Sequence, residues 1–315
     1  MKLENTSSIK GIFVWLIIFR HKSSYGNYNK YVYKKIDNNL AQQVVSMFLF
    51  YSGFGIYEGI KKKGNNYSRT LLFKSIVIFF KSQIIILIYL ATNIFIFKKT
   101  ITFERYFFSV IFKLGLGNSN WFAFTIIMFY FYSYFSFRFI YKKFFFGIII
   151  ISFICFLHTL FVYHFYYPKQ KYAVDTVLCF VIGFYYSFTK LYLDKLIMKS
   201  DIFYFGIISI IILIYYKLNR INNLIHLSIK NSLFALLVVL ISIKVQFNNV
   251  FLKFLNSHSY SIYLLQRLVL WVVSHKRIFI NNNFIQIAFE FSSIFFIASI
   301  FDKYTIFIDK IFKRN

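Results

Sequence analysis

Apolar and polar positions alternate along this chain in long blocks, not residue by residue. Runs rich in Ile, Leu, Phe, Val and Tyr are separated by short stretches carrying Lys, Arg and Asn. Ten runs stand out, at roughly 9–21, 44–60, 76–97, 121–140, 144–163, 173–189, 202–216, 225–247, 260–274 and 284–301. An α-helix rises about 1.5 Å per residue and needs about 20 apolar residues to cross hydrocarbon. The pattern therefore predicts an all-α fold, a polytopic transmembrane helix bundle of about ten spans. It forms one integral membrane domain over residues 1–315, and the seventh run is short for a full crossing.

Composition agrees with that picture. Apolar residues make up 59% of the chain and charged residues 15%, against about 25% charged in soluble domains. The net charge of +27 does not point to nucleic acid. The basic residues sit in short clusters between apolar runs, where they set topology and meet anionic headgroups. The strongest cluster is Lys61, Lys62 and Lys63, with Arg69 and Lys74 following. Placing it in the cytoplasm puts both termini there too, along with the loop Arg138–Lys143 and the tail residues Lys310, Lys313 and Arg314. The opposing side is also basic, at Lys30, Lys34 and Lys35, so the bias is modest. Cys155 and Cys179 both lie inside apolar runs, which reads as buried thiols and not as a disulfide or metal site. The first run has no small-residue cleavage site after it and reads as a retained helix.

Candidate chemistry comes from polar groups inside the runs, where they are costly and point to function. Lys10 and His21 are eleven residues apart. That spacing is three helical turns with a remainder of about 20°, so both fall on one face, roughly 16 Å apart along the axis. Glu290 stands about two turns inside the last run and needs a partner. Arg267 could pair with Glu290 across adjacent helices or face an acidic ligand. Lys81, near the start of the third run, can snorkel to the interface, and Glu58 reads as an interfacial charge. Ser52, Gly55 and Gly59 recur at helical spacing and predict close helix packing, with Ser52 at a cavity wall.

Four stretches resemble the membrane-bound acyltransferase family 3 in order and spacing. The first is Lys10 with His21. The second is Phe50-Tyr51-Ser52-Gly53-Phe54 followed by the basic loop Lys61 to Lys74. The third is Asn120-Trp121-Phe122 before Phe129-Tyr130, and the fourth is Ser259-Tyr260-Ser261-Ile262-Tyr263-Leu264. The resemblance covers almost the whole chain and is greatest to compact sugar O-acetylases. One departure stands out: Gln266, then Arg267, occupies the place where many family members carry His.

The resemblance implies a multi-pass enzyme of the bacterial plasma membrane. It would take acetyl-CoA, without a metal, as acyl donor and a glycan hydroxyl, possibly lipid-linked, as acceptor. A hydroxyl needs a base at neutral pH, and an imidazole suits that task. His21 is thus the expected general base, or a transient acyl carrier. Lys10, Arg69 and Lys74 are expected to neutralise the donor phosphates. Ser52, Gly53, Phe54, Trp121, Tyr260, Tyr263, Gln266, Arg267 and Glu290 are the expected cavity residues. The competing reading is a flippase or polymerase of lipid-linked glycan, which would use Arg267 and Glu290 without acyl transfer.

Overall fold

The structure, a computed structural model, describes residues 3–22, 30–113, 115–117, 121–140, 143–166, 172–218, 221, 223–275 and 283–313. Asn120, Tyr141, Lys142 and Arg314 therefore lie outside the described residues, as do the side chains of Lys30, Lys34, Lys35 and Lys313. Every regular element among the described residues is helical. The helices are α1 (Leu3–Lys22), α2 (Lys30–Lys63), α3 (Asn65–Ala91), α4 (Phe103–Phe112), α5 (Trp121–Arg138), α6 (Phe144–Tyr166) and α7 (Tyr172–Asp175). They continue with α8 (Val177–Lys199), α9 (Asp201–Leu218), α10 (Leu224–Lys244), α11 (Val250–Ser257), α12 (Ser259–His275) and α13 (Asn283–Lys313). A π-helical turn, Thr92–Ile96, ends α3.

The ten apolar runs fall on helices, that at 173–189 across the break between α7 and α8. Six segments are long and apolar enough to cross a membrane: Asn65–Ile96, Phe144–Phe165, Ala173–Lys199, Asp201–Leu218, Leu224–Lys244 and Phe284–Phe312. The outward faces carry the stronger argument. On α6, Phe145, Ile149, Phe153, Phe156 and Leu160 form an exposed stripe, while Ile148, Ile151, Cys155, His158 and Val162 are buried. On α9, Ile202, Phe205, Leu213 and Tyr216 are exposed. Water would penalise such patches heavily, and lipid does not. The chain is a helical membrane protein.

The chain divides into two compact units. The first comprises residues 1–13, 40–72 and 129–253. Its centre is a close crossing of α2 and α8. A methyl on Gly53 would collide with the Phe180 carbonyl oxygen, and one on Gly183 with that of Phe50. Around this crossing Phe129 stacks on Phe180 at 4.3 Å, and Phe137 on Phe184 at 5.5 Å. Gly55, by contrast, faces open space. The expected small-residue contact is therefore corrected at Gly55, while Gly59 packs closely against the Tyr67 ring of α3. Gly53 makes the contact with α8, because the rotation of α2 turns that position toward it.

Asn5 fastens the start of α1 to the end of α10. Its amide donates to the carbonyls of Ser242 and Val245 at 3.1 and 3.2 Å, and its oxygen accepts from the Phe247 N–H at 3.0 Å. These bonds satisfy backbone groups that α10 leaves open at its end.

The second unit comprises residues 14–39, 73–128 and 254–315. Here α12 packs along α13. The end of α1 meets α13 through Trp15 and Phe19, whose rings lie 4.7 and 4.9 Å from Phe291. Helix α3 runs beside α12, with the Tyr260 hydroxyl donating to the Ile78 carbonyl at 3.0 Å and Phe97 stacking on Trp271 at 4.0 Å. Lys81 pairs with Asp309 at 2.8 Å, so its charge is answered by a carboxylate of α13. A cavity of about 470 Å³ lies between α3, α12 and α13, walled by residues such as Ile84, Ile88, Leu265, Ile297 and Phe301. Its walls are apolar and include none of the expected site residues.

Candidate functional site

The last turn of α1 carries Arg20, His21 and Lys22. Cations at a helix C-terminus are favoured by the backbone dipole, so local physics accounts for their placement there. Their partners differ. The buried Lys22 ammonium donates to Glu290 Oε2, and the Gln286 side-chain amide donates to Glu290 Oε1 at 3.2 Å. Both carboxylate oxygens of Glu290 are thus engaged. The pairing of Arg267 with Glu290 that the sequence allowed is not made, because Lys22 holds the carboxylate.

Arg267 occupies the midpoint of α12, eight residues from Ser259 and eight from His275. That is about 12 Å of helix to either end, so dipole effects at a terminus do not explain it. It is half-buried, and its Nε is buried with no hydrogen-bond partner among the described residues. His21 is also half-buried, and its Nδ1 is likewise unpartnered. Both His21 and Tyr263 lie within electrostatic reach of Arg267 and Arg20. Tyr263 stands one turn before Arg267 on the same face and packs on Phe122 at 5.1 Å. Within the second unit, both guanidinium groups therefore act electrostatically on the imidazole and on the phenol.

The other expected residues of this unit have plainer roles. Gln266 is fully buried and donates to the Tyr263 carbonyl at 3.4 Å, with its own oxygen unpartnered among the described residues. Trp121 opens α5, is buried, and packs edge-on against Phe122. Tyr260 is tied to α3, and Lys74 is half-buried on α3.

In the first unit, the Lys10 ammonium lies over the Tyr51 ring, 5.5 Å from its centre. Ser52 donates to the Phe48 carbonyl one turn earlier at 2.8 Å, so its hydroxyl serves its own helix. Phe54 is buried beneath the Lys190 ammonium at 5.3 Å. Glu58 accepts from the Ser187 hydroxyl at 2.6 Å, and Arg69 is exposed. Lys10 and His21 do share one uninterrupted helix, as their spacing predicted.

Several polar groupings escaped the sequence reading. Asp302 accepts from Ser261 through Oδ1 and meets His258 Nδ1 through Oδ2 at 2.6 Å. In the first unit, helix α7 breaks at Thr176, and Asn231 donates to the buried Asp175 carbonyl at 3.2 Å. Cys179 and Ser232 lie beside it, 3.6 Å apart. Lys113 follows α4, buried against the Phe79 ring at 4.4 Å and donating to the Val110 carbonyl at 2.6 Å. Burial pushes its amine down to about 7. The only sequence signal for these was a lone polar residue beside an apolar run, and such residues are common at helix ends.

No protein family, curated protein or solved structure compared with this chain matches it.

Proposed function

We propose that the protein is an integral membrane O-acyltransferase. It would transfer an acyl group, acetyl in the first instance, from acyl-CoA to a hydroxyl of a cell-surface or exported polysaccharide. The observation that carries this reading is His21: half-buried on the last turn of α1, its Nδ1 unpartnered among the described residues, and within electrostatic reach of Arg267. The ordered resemblance of four stretches to membrane-bound acyltransferase family 3 supports it independently.

In this reading the imidazole takes the proton of the acceptor hydroxyl as its oxygen bonds to the acyl carbon. The thioester carbonyl becomes an oxyanion, which the neighbouring guanidinium can stabilise. Collapse breaks the C–S bond and releases CoA as thiolate, which then takes up the proton. Lys10, Arg69 and Lys74 are the cations proposed to meet the donor phosphates, and acetyl-CoA is the donor. The spans number about ten, with both termini in the cytoplasm of a bacterial cell.

His21→Ala tests it. In a cell whose glycan is O-acetylated by this protein, the variant should lose the acetyl proton NMR signal while still reaching the membrane. Retained acetylation would overturn the role of His21. The flippase or polymerase reading gains from Arg267, a membrane guanidinium with no acidic partner among the described residues. Labelled acetyl-CoA decides between them, since only acyl transfer puts label on the glycan.

A further inference from the structure

His258 lies in the turn between α11 and α12, and Asp302 faces it from α13. The imidazole Nδ1 stands 2.6 Å from Asp302 Oδ2, and the buried Ser261 hydroxyl donates to Oδ1. Both carboxylate oxygens are engaged, so the carboxylate is fixed. A carboxylate at Nδ1 keeps the proton on that nitrogen and leaves the Nε2 lone pair free to accept another. Nε2 has no hydrogen-bond partner among the described residues, and 20% of the side chain is exposed. The ring packs edge-on against Phe254 at 4.8 Å, and Phe254 is itself exposed. An imidazole oriented by a carboxylate, with its second nitrogen open, is the arrangement of a general base.

Its place separates it from His21. Lys22, next to His21, is bonded to Glu290, and Asp302 follows Glu290 by twelve residues on α13. That is about 18 Å along the helix, too far for the two imidazoles to serve one reacting carbonyl. The depth of the pair points to a substrate. Residues 259–266 and 291–301 carry no charge, and charge returns on α13 at Asp302 and Lys303. His258 and Asp302 thus mark, on two helices, the boundary between hydrocarbon and headgroups, where the ester carbonyls of membrane lipids lie.

We propose that His258, positioned by Asp302, is the catalytic base for hydrolysis of an acyl ester of a membrane lipid. This activity is separate from acyl transfer at His21 and does not rest on it. Nε2 takes a proton from water as the water oxygen bonds to the ester carbonyl carbon. The C–O bond to the lipid alcohol then breaks, and the imidazolium returns the proton to the departing alkoxide. The products are a fatty acid and a lysolipid.

The experiment uses the full-length protein in detergent micelles mixed with phosphatidylglycerol radiolabelled in its acyl chains. The wild type should release labelled fatty acid, and Lys62→Gln should release it at the same rate. His258→Ala should lose about a hundredfold or more, the share a positioned base contributes. Added imidazole should restore part of that loss, which a packing role would not allow. Asp302→Asn should lower kcat with KM nearly unchanged, and Asp302→Glu should recover part of the rate. Because His258→Ala could fold poorly, a second measurement uses the wild-type chain. Carbethoxylation of His258, located by mass spectrometry, should stop release in step with its extent, and hydroxylamine should restore it.

No release by the wild type, an equal rate in His258→Ala, or release that survives carbethoxylation of His258 overturns the assignment. So does a loss in His258→Ala that imidazole leaves unrestored while the unfolding midpoint is unchanged. The assay contains neither glycan nor acyl-CoA. Its failure therefore leaves acyl transfer standing, and acetylation retained in His21→Ala leaves the lipid ester activity standing.

Discussion

Lys22 and Glu290 face one another with almost no exposure to solvent, and that arrangement has a measurable consequence. Two buried opposite charges compensate each other's desolvation, so removing one leaves the other stranded. Glu290→Leu alone is expected to cost about 3–5 kcal/mol. The double variant Lys22→Met with Glu290→Leu should recover most of that loss. Unfolding midpoints of the wild type, the two single variants and the double variant in detergent, arranged as a double-mutant cycle, check this; a double-variant loss equal to the sum of the single losses would mean the charges are not coupled. The need of Glu290 for a partner was legible in the sequence, because a carboxylate two turns inside an apolar run cannot stand alone. The identity of the partner was not. Arg267 and Lys22 are both plausible cations in one dimension, and only the approach of α1 to α13 through Trp15, Phe19 and Phe291 favours Lys22. Once that pair is formed, Arg267 becomes the unexplained charge, and the candidate site is organised around it and His21.

At the scale of helices, block hydropathy carried most of the information. The ten apolar runs fall on helices, because lipid-exposed backbone must satisfy its own hydrogen bonds. The short helices α4 and α11 were not anticipated, since neither is long enough to register as a span. Helix rotation was also illegible. Ser52, Gly53, Gly55 and Gly59 all sit within two turns of α2, and spacing alone does not say which of them meets a neighbour. Gly53 and Gly183 face each other's backbones across α2 and α8. Gly53→Ala and Gly183→Ala should therefore force the helices apart at about 1–3 kcal/mol each. Gly55→Ala, pointing into open space, should change stability by less than about 0.5 kcal/mol. Thermal unfolding of the three variants separates these outcomes, and a Gly55→Ala loss as large as that of Gly53→Ala would contradict the crossing.

For the molecule as a whole, the direction in which it crosses the membrane decides what His21 can reach. The exposed Lys61, Lys62 and Lys63 form the densest basic cluster, and such clusters stay in the cytoplasm. If they do, the alternation of spans takes the first helix from inside to outside and leaves His21 at its outer end, the side of an exported glycan. The next crossing after the cluster then brings the exposed Lys98 outside. Cysteine labelling can read both faces, because Cys155 and Cys179 are buried and give little background with a bulky reagent. Lys62→Cys should react with a membrane-impermeant maleimide only after the cells are permeabilised, whereas Lys98→Cys should react in intact cells. The opposite pattern would invert the orientation and put His21 on the side of soluble acyl-CoA. Under the acyl-transfer proposal, the expected pattern would make the acyl group the species that crosses from a cytoplasmic donor. His21, at the outer end of α1, would then meet that group within the second unit.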